Sequence, residues 1–118
     1  MGSDKEMARF LRALEELDGA LDETADMIVA MRKRIATIQD AHREGVPLRD
    51  IVPAEETPLL VQLLTLTTGL LHAYGNKVRR AEARALHREG MTMEEIAKLF
   101  GVSRQRVSAL LRGKPSDA

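Results

Sequence analysis

The chain has 118 residues with 18 basic and 18 acidic side chains, so its formal net charge is zero and its length suits one domain. It contains no cysteine, which excludes a disulfide scaffold, a Cys-ligated zinc site and a cysteine nucleophile. Aromatic residues make up only 3%, which argues against a protein that stacks single-stranded bases on aromatic rings. Charge is uneven along the chain. Residues 1–26 hold three basic and eight acidic side chains, and residues 77–118 hold ten and five. The basic end indicates an anionic partner.

The first predicted element is a long helix over about residues 5–44. Its large apolar residues recur at alternating steps of three and four, and Thr24 is the one interruption in this heptad pattern. Gly45 is suited to a left-handed helix cap, and Pro47 follows it. Because a single helix of this length cannot bury its apolar stripe, we expect partner helices. The stripe comprises Met7, Phe10, Leu14, Leu17, Leu21, Ile28, Met31, Ile35 and Ile38.

A linker over residues 45–57 precedes a second, leucine-rich helix. One helical turn is predicted at residues 48–51, where Pro53 limits its length. Thr57 and Pro58 then form an N-cap and a first helical residue, so the second helix starts at 58. Its apolar arc is wide enough to pack against more than one neighbour. The pattern favours continuity to about residue 89 and leaves a break at Gly75 open. The most apolar stretch, residues 59–71, is too short and too polar to span a bilayer, so no membrane association is expected.

The pattern after residue 79 predicts two short helices joined by a tight turn. Thr92 and Glu95 have the spacing of a capping box, and Gly101 permits the positive φ of a sharp turn. Ser103 is suited to cap a last helix over residues 104–112. This is a helix-turn-helix layout. Its predicted core comprises Ile96, Phe100, Val107 and Leu110, with Ala97 where the two helices cross and Val102 beneath the turn.

The outward face of the last predicted helix carries short or guanidinium side chains and no acidic residue. Such a face suits the major groove, where Arg reads guanine, Gln reads adenine, and Ser and Arg also contact phosphates. The run MEEIAKLFGVSRQRV at residues 93–107 resembles the homeodomain-like helix-turn-helix of bacterial regulators. It is most similar to the promoter-recognition domain of sigma factors and to the DNA-binding domain of site-specific recombinases. The resemblance covers residues 79–113.

The resemblance implies a set of DNA-contacting residues. Those facing bases or backbone are Ser103, Arg104, Gln105, Arg106, Ser108 and Ala109, and those contacting the backbone are Arg79, Arg80, Arg84 and Arg112. Thr92, at the start of the first short helix, completes the predicted DNA-binding set. The alternative is that these three helices bind protein instead of DNA.

The sequence therefore predicts an all-α protein in which a long heptad helix packs with a leucine-rich helix and a helix-turn-helix follows. Residues 1–76 are assigned to dimerisation and residues 77–118 to DNA binding. The leading hypothesis is a homodimeric, sequence-specific regulator of transcription that binds double-stranded DNA in the bacterial cytoplasm, because one such motif buries too little surface to select a genomic site. The predicted dimer interface comprises Phe10, Leu14, Leu17, Leu21, Ile28, Met31, Leu60, Leu63, Leu64 and Leu71.

Two other functions remain open from the sequence. One is a protein-interaction module that binds the transcription machinery or a partner regulator through the N-terminal helices. The other is a ligand sensor with a site near Thr65, Thr67, Thr68 and Gly69. The three histidines lack the spacing of helical metal ligands, and no catalytic constellation is present. We therefore expect no enzymatic activity, metal or cofactor.

Overall fold

The computed structural model describes residues 2–113, with side chains from Lys5 onward, and is helical throughout without strands over that range. Its elements are α1 (Gly2–Arg43), α2 (Leu48–Ile51) with a 3₁₀ turn (Val52–Ala54), α3 (Leu60–Arg88), α4 (Met93–Phe100) and α5 (Arg104–Arg112). Helix α1 packs against α3, which confirms the predicted fold class. Among the helices of this range, none has the length and apolarity to cross a membrane. Residues 114–118, which end the predicted DNA-binding region, lie outside the described residues.

The two long helices end in the same way. The tetrapeptide HREG occurs at residues 42–45 and 87–90, and its glycines have φ values of +85° and +105°. At each end the glycine N–H donates to the carbonyl three residues earlier, and the next N–H donates to the carbonyl five residues earlier. This is a Schellman cap, in which glycine avoids the penalty that a Cβ incurs at positive φ. The repeat is thus two equivalent helix ends.

Helix α3 begins at Leu60, two residues after its predicted start. The carboxylate of Glu55 accepts from the Leu60 backbone N–H at 2.9 Å, and the amide oxygen of Gln62 accepts from the Leu59 N–H at 2.7 Å. These side chains take the capping role that the sequence assigned to Thr57, so the helix starts where its first N–H groups find acceptors.

The chain divides into two compact units. The terminal unit combines Met1–Asp18 with Ala73–Ala118, and the middle unit is Gly19–His72. Helices α1 and α3 take part in both, and α3 continues through Gly75 without a break, as the apolar pattern favoured. The predicted division at residue 76 is a statement about function and stays a prediction.

In the middle unit, α1 and α3 run antiparallel. The Thr67 hydroxyl donates to the Met27 sulfur at 3.2 Å, and Arg34 Nη1 donates to the Pro58 carbonyl at 2.9 Å. Later residues of α1 therefore meet earlier residues of α3. Arg34 also forms an ion pair with Glu55 at 3.3 Å, which fixes the linker to α1.

The structure divides the predicted heptad stripe of α1 into two rows. The row of Leu21, Ile28 and Ile35 stays 47%, 44% and 42% exposed in the middle unit. In the terminal unit, Met7 and Leu14 of the same row are likewise exposed. The seam towards α3 uses small or polar side chains beside the remaining apolar ones, because small residues allow helices to approach closely. In the middle unit the residues of this seam that lose exposure are Ala20, Thr24, Met27, Met31 and Ile38, whereas Arg34 contacts the linker.

The core of the terminal unit fixes α4 and α5 against the end of α3. Ala83, Ile96, Ala97, Val107 and Leu110 are buried, and Leu86, Met91, Met93, Phe100 and Leu111 pack around them. The predicted miniature core is therefore correct. The prediction that Val102 packs beneath the turn is wrong, because this residue is 40% exposed. Its backbone N–H donates to the Ala97 carbonyl at 3.0 Å, so Val102 contributes to the turn through its backbone.

Candidate nucleic-acid interface

Helix α4 starts with the predicted capping box. Thr92 Oγ1 accepts from the Glu95 N–H at 3.1 Å, and the Glu95 carboxylate accepts from the Thr92 N–H at 2.9 Å. The bond from the Thr92 backbone, together with that of the Thr92 side chain, lowers the pKa of Glu95 below its ordinary value. The box sets the first residue of α4 and therefore the direction in which the helix leaves the preceding turn.

The connection between α4 and α5 is a short turn. Gly101 lies in the left-handed region with φ +70°, a conformation that glycine adopts without strain. Ser103 Oγ then accepts from the Arg106 N–H at 3.1 Å and caps α5. The left-handed Gly101 thus ends α4, and the hydrogen bond from the Arg106 N–H to Ser103 Oγ fixes where α5 begins.

Helix α5 buries one face and presents the other to solvent. Val107 and Leu110 are buried, while Gln105, Ser108 and Arg112 share one outward row at helical spacing. Arg112 Nη1 donates to Ser108 Oγ at 3.3 Å, which aligns the guanidinium along that row. On either side of the row lie Arg104 and Arg106, both exposed, and Ala109 is half-buried among them. The outward surface therefore offers hydrogen-bond donors over two helical turns.

Arg104 has a carboxylate partner that the sequence did not reveal. Its Nε lies 2.8 Å from the Glu94 carboxylate oxygen, and the two side chains are 60% and 69% exposed. The residues are ten positions apart and meet only because the turn folds α5 back beside the start of α4. In the sequence, Glu94 gave no signal beyond that of an acidic residue in the first turn of a helix.

The three predicted arginines of α3 occupy different surroundings. Arg79 is exposed and donates to Asn76 Oδ1 at 3.2 Å. Arg84 is half-buried, and its Nη2 donates to the Leu111 carbonyl at 3.4 Å. Arg80 is half-buried against Gly113, where an added Cβ would lie 2.6 Å from Arg80 Nη1. Arg80 and Arg84 thus lie at the carbonyl end of α5, where positive charge is favourable.

A comparison with protein-family models supplies the family of this segment. Residues 75–113 match the homeodomain-like domain, over the end of α3 together with α4 and α5. This segment is similar to the homeodomain-like family and has its helix-turn-helix layout, with α5 as the second helix. The match supports a helix-turn-helix DNA-binding domain. Neither the curated proteins nor the solved structures searched gave a match to the chain.

Outside the helix-turn-helix, the predicted dimer residues differ in exposure. Leu63 is 6% exposed and packs within the chain, so it offers little surface to a second copy. The other residues retain accessible surface. Leu14, Leu21, Ile28, Leu64 and Leu71 are exposed, and Phe10, Leu17, Met31 and Leu60 are half-buried.

The threonines of α3 that suggested a ligand site have partners within the chain. Thr65 and Thr68 donate to the carbonyls of Val61 and Leu64, at 3.1 and 2.8 Å. Thr67 is buried against Met27, as described above. These hydroxyls are engaged by the fold. Of the predicted ligand residues, Thr65 alone lines the open groove formed by Thr57, Pro58, Val61, Gln62, Thr65 and Leu66. Among the described side chains, residues 5–113, no cluster of three from His, Cys, Asp or Glu is arranged to hold a metal ion.

Proposed function

We propose that the protein is a homodimeric, sequence-specific regulator of transcription that binds double-stranded DNA in the bacterial cytoplasm through α5. The observation that carries this proposal is the outward surface of α5, where Gln105, Arg106 and Arg112 stand exposed above a buried apolar face. The family match at residues 75–113, which includes α5, also supports DNA binding.

The chemistry of α5 suits the edges of base pairs. Arginine pairs bidentately with guanine and glutamine with adenine in the major groove, and these pairs discriminate between sequences. In this family of motifs, the N-terminal residues of the second helix reach the bases while the first helix crosses the backbone. We therefore assign base contacts to Arg104, Gln105 and Arg106. The assigned backbone and positioning contacts are Arg79, Thr92, Ser103, Ser108, Ala109 and Arg112.

We assign Arg80 and Arg84 to a different role. Because the Arg84 guanidinium faces the Leu111 carbonyl and Arg80 packs against Gly113, each holds the C-terminal end of α5. They act on DNA binding by positioning the recognition helix. This changes the phosphate-contacting role that the resemblance implied for them.

The middle unit supports pairing with a second copy of the chain. On each helix, viewed along its own chain direction, a row of residues lies either clockwise or anticlockwise of the row that faces the other helix. In an antiparallel pair, two rows with the same rotation from the seam lie on the same face of the pair. Leu21, Ile28 and Ile35 of α1 are one such row, and Leu64 and Leu71 of α3 are the other. All five are 38–51% exposed, so together they form an apolar face on one side of the helical hairpin.

Charge supports the same conclusion. Residues 57–76 contain no Asp, Glu, Lys or Arg, although many side chains of this stretch are exposed in one chain. A helix that faced water in the working protein would carry charges on its outer face. Two hairpins packed through this face give a four-helix bundle, in which Leu64 and Leu71 of the uncharged stretch are covered.

A two-fold dimer makes a prediction about the DNA site. Such a dimer presents two equivalent α5 helices, so the site is an inverted repeat. The two half-site centres lie about 34 Å apart, or a multiple of that distance, because each helix enters a successive major groove on one side of the duplex.

Fluorescence anisotropy with labelled duplex DNA tests the DNA-binding part. Affinity is expected to fall linearly on a log–log plot against salt, since phosphate contacts release counterions. Arg106→Ala should weaken a selected site by about 1–3 kcal/mol, whereas Arg49→Ala, an exposed arginine of the middle unit, should leave it unchanged. Equal affinities of wild type and Arg106→Ala for the selected duplex would contradict the proposal.

Sedimentation tests the dimer. A dimer at micromolar concentration supports the proposal. A monomer that also fails to bind duplex would instead favour the alternative function, in which the same apolar face binds a partner protein of the transcription machinery.

A further inference from the structure

Glu94 and Arg104 form the one ion pair between α4 and α5 that the described residues show. Glu94 lies in the first turn of α4, and Arg104 is the first residue of α5. The pair therefore joins the two helix starts at the end of α5 that the proposed function directs into the groove. Whatever Arg104 contacts on a duplex, the Glu94 carboxylate lies beside that contact.

Arg104 occupies an unfavourable position within its own helix. A cation at a helix N-terminus opposes the helix dipole, whereas an acid such as Glu94 is favoured at the N-terminus of α4. The first turn of α5 contains no acidic residue of its own. The stability of α5 therefore gives no reason for an arginine at this position, and the Glu94 carboxylate offsets its charge.

The pair is also weakly held. Both side chains are more than half exposed, and exposed ion pairs of this kind contribute little net free energy. Arg104 can thus leave Glu94 when a stronger acceptor is offered. A guanine edge at a matched site is such an acceptor, because it accepts two hydrogen bonds from one guanidinium and the pair contributes about 5- to 150-fold of discrimination, which is about 1–3 kcal/mol. Exchanging Glu94 for a solvent-exposed phosphate replaces one exposed ion pair by another, so it gains little net free energy.

We propose that Glu94 is a specificity-determining residue, which holds Arg104 away from phosphates on random DNA and releases it to a base at the correct site. This inference rests on the proposed function and adds to it. The carboxylate lowers non-specific affinity more than specific affinity, so it widens the ratio between the two. On this account Glu94 acts through Arg104 and is a positioning residue.

The test compares wild type, Glu94→Gln, Arg104→Ala and the double variant on a random duplex and on a selected duplex. Glu89→Gln is the matched control, because Glu89 is another exposed carboxylate of the terminal unit. Glu94→Gln should bind the random duplex about two- to five-fold more tightly, the range expected for an exposed ion pair. Its salt dependence on that duplex should steepen by about 0.9, which corresponds to one added phosphate contact. Binding to the selected duplex should change less.

The double-variant cycle separates positioning from simple repulsion. If Glu94 acts through Arg104, Glu94→Gln has no effect in the Arg104→Ala background. Unchanged non-specific affinity of Glu94→Gln, or an equal gain in the Arg104→Ala background, would overturn the inference. Circular dichroism of each variant checks that α4 is retained. Failure of the wild type to bind any duplex would be a failure of the proposed function instead.

Discussion

The helix-turn-helix and the middle unit use their apolar residues in different ways. In the helix-turn-helix, Ile96 and Val107 are fully buried, and the outward surface of α5 is polar. In the middle unit, small residues such as Ala20 form the seam, and large residues such as Ile28 and Leu64 stay exposed. The first region completes its core within one chain, whereas the second leaves a row of large apolar side chains on each helix exposed. The DNA-binding region therefore has a core that is complete within one chain. The middle unit has an exposed apolar face, through which we propose that it pairs with a second chain.

Removal of core volume in the helix-turn-helix should have the largest effect on stability. Ile96→Ala deletes three carbons at a position that is 0% exposed, so the free energy of unfolding should fall by about 3 kcal/mol. Leu99→Ala is the matched control, because Leu99 lies on the same helix at 63% exposure and should change stability by less than about 0.5 kcal/mol. Chemical denaturation followed by circular dichroism measures both. Equal losses would show that the core assignment is wrong.

A charge on the apolar face of the middle unit should dissociate the proposed dimer. Ile28→Glu places a carboxylate where we propose that the second copy packs, so each chain would bury an unpaired acid at a cost of about 1–3 kcal/mol or more. We expect the dimer dissociation constant to rise by about 100-fold.

The control for this variant is Val29→Glu, which alters the neighbouring residue, also exposed but off the row. Sedimentation equilibrium of both variants measures the association. If Ile28→Glu remains dimeric, the second copy is bound through another surface.

The arginines of α3 should differ in whether their removal lowers stability or weakens DNA contact. Arg84→Ala loses the bond to the Leu111 carbonyl, so the helix-turn-helix should lose about 1 kcal/mol of stability, with little change in the salt dependence of duplex binding. Arg79→Ala should leave stability nearly unchanged and reduce the salt slope by about 0.9, because one phosphate contact is lost. Thermal melting and anisotropy titrations at several salt concentrations measure the two effects. If Arg84→Ala also reduces the salt slope of duplex binding, Arg84 contacts a phosphate and the positioning role is wrong.

The smallest expected effect concerns the capping box of α4. Because the folded pKa of Glu95 is lowered, its contribution to stability is present above the unfolded pKa and is lost as the pH falls through the folded pKa. Glu95→Gln keeps a side-chain acceptor for the Thr92 N–H but has no titrating group. The stability difference between wild type and Glu95→Gln should therefore shrink on acidification. A difference that is constant with pH would contradict the role of the charged carboxylate.

The sequence predicted the helix-turn-helix more completely than the rest of the fold. Its signals are local, since a capping box, a positive-φ glycine and an N-cap serine each act within four residues of chain. The continuity of α3 and the turn at α2 were also indicated by local patterns. The burial of Val102 was predicted wrongly, because the direction of a side chain beside a turn depends on how both flanking helices pack.

The seam between α1 and α3 could not be predicted by the same means. The heptad pattern selects large apolar residues, whereas the structure also buries Ala20 and Thr24 in the seam. Which row of a heptad faces the partner helix is decided by close approach between helices, which one chain pattern does not reveal. The Glu94–Arg104 pair was missed for a related reason, because the two residues meet only when the turn is folded.

Selection of bound sequences from random duplex DNA, carried out in parallel with wild type and Arg106→Ala, tests the reading of bases by α5 most directly. The account predicts that wild type enriches an inverted repeat, and that Arg106→Ala enriches the same spacing with relaxed preference at one position in each half-site. No enrichment by wild type, or identical motifs from both proteins, would contradict it.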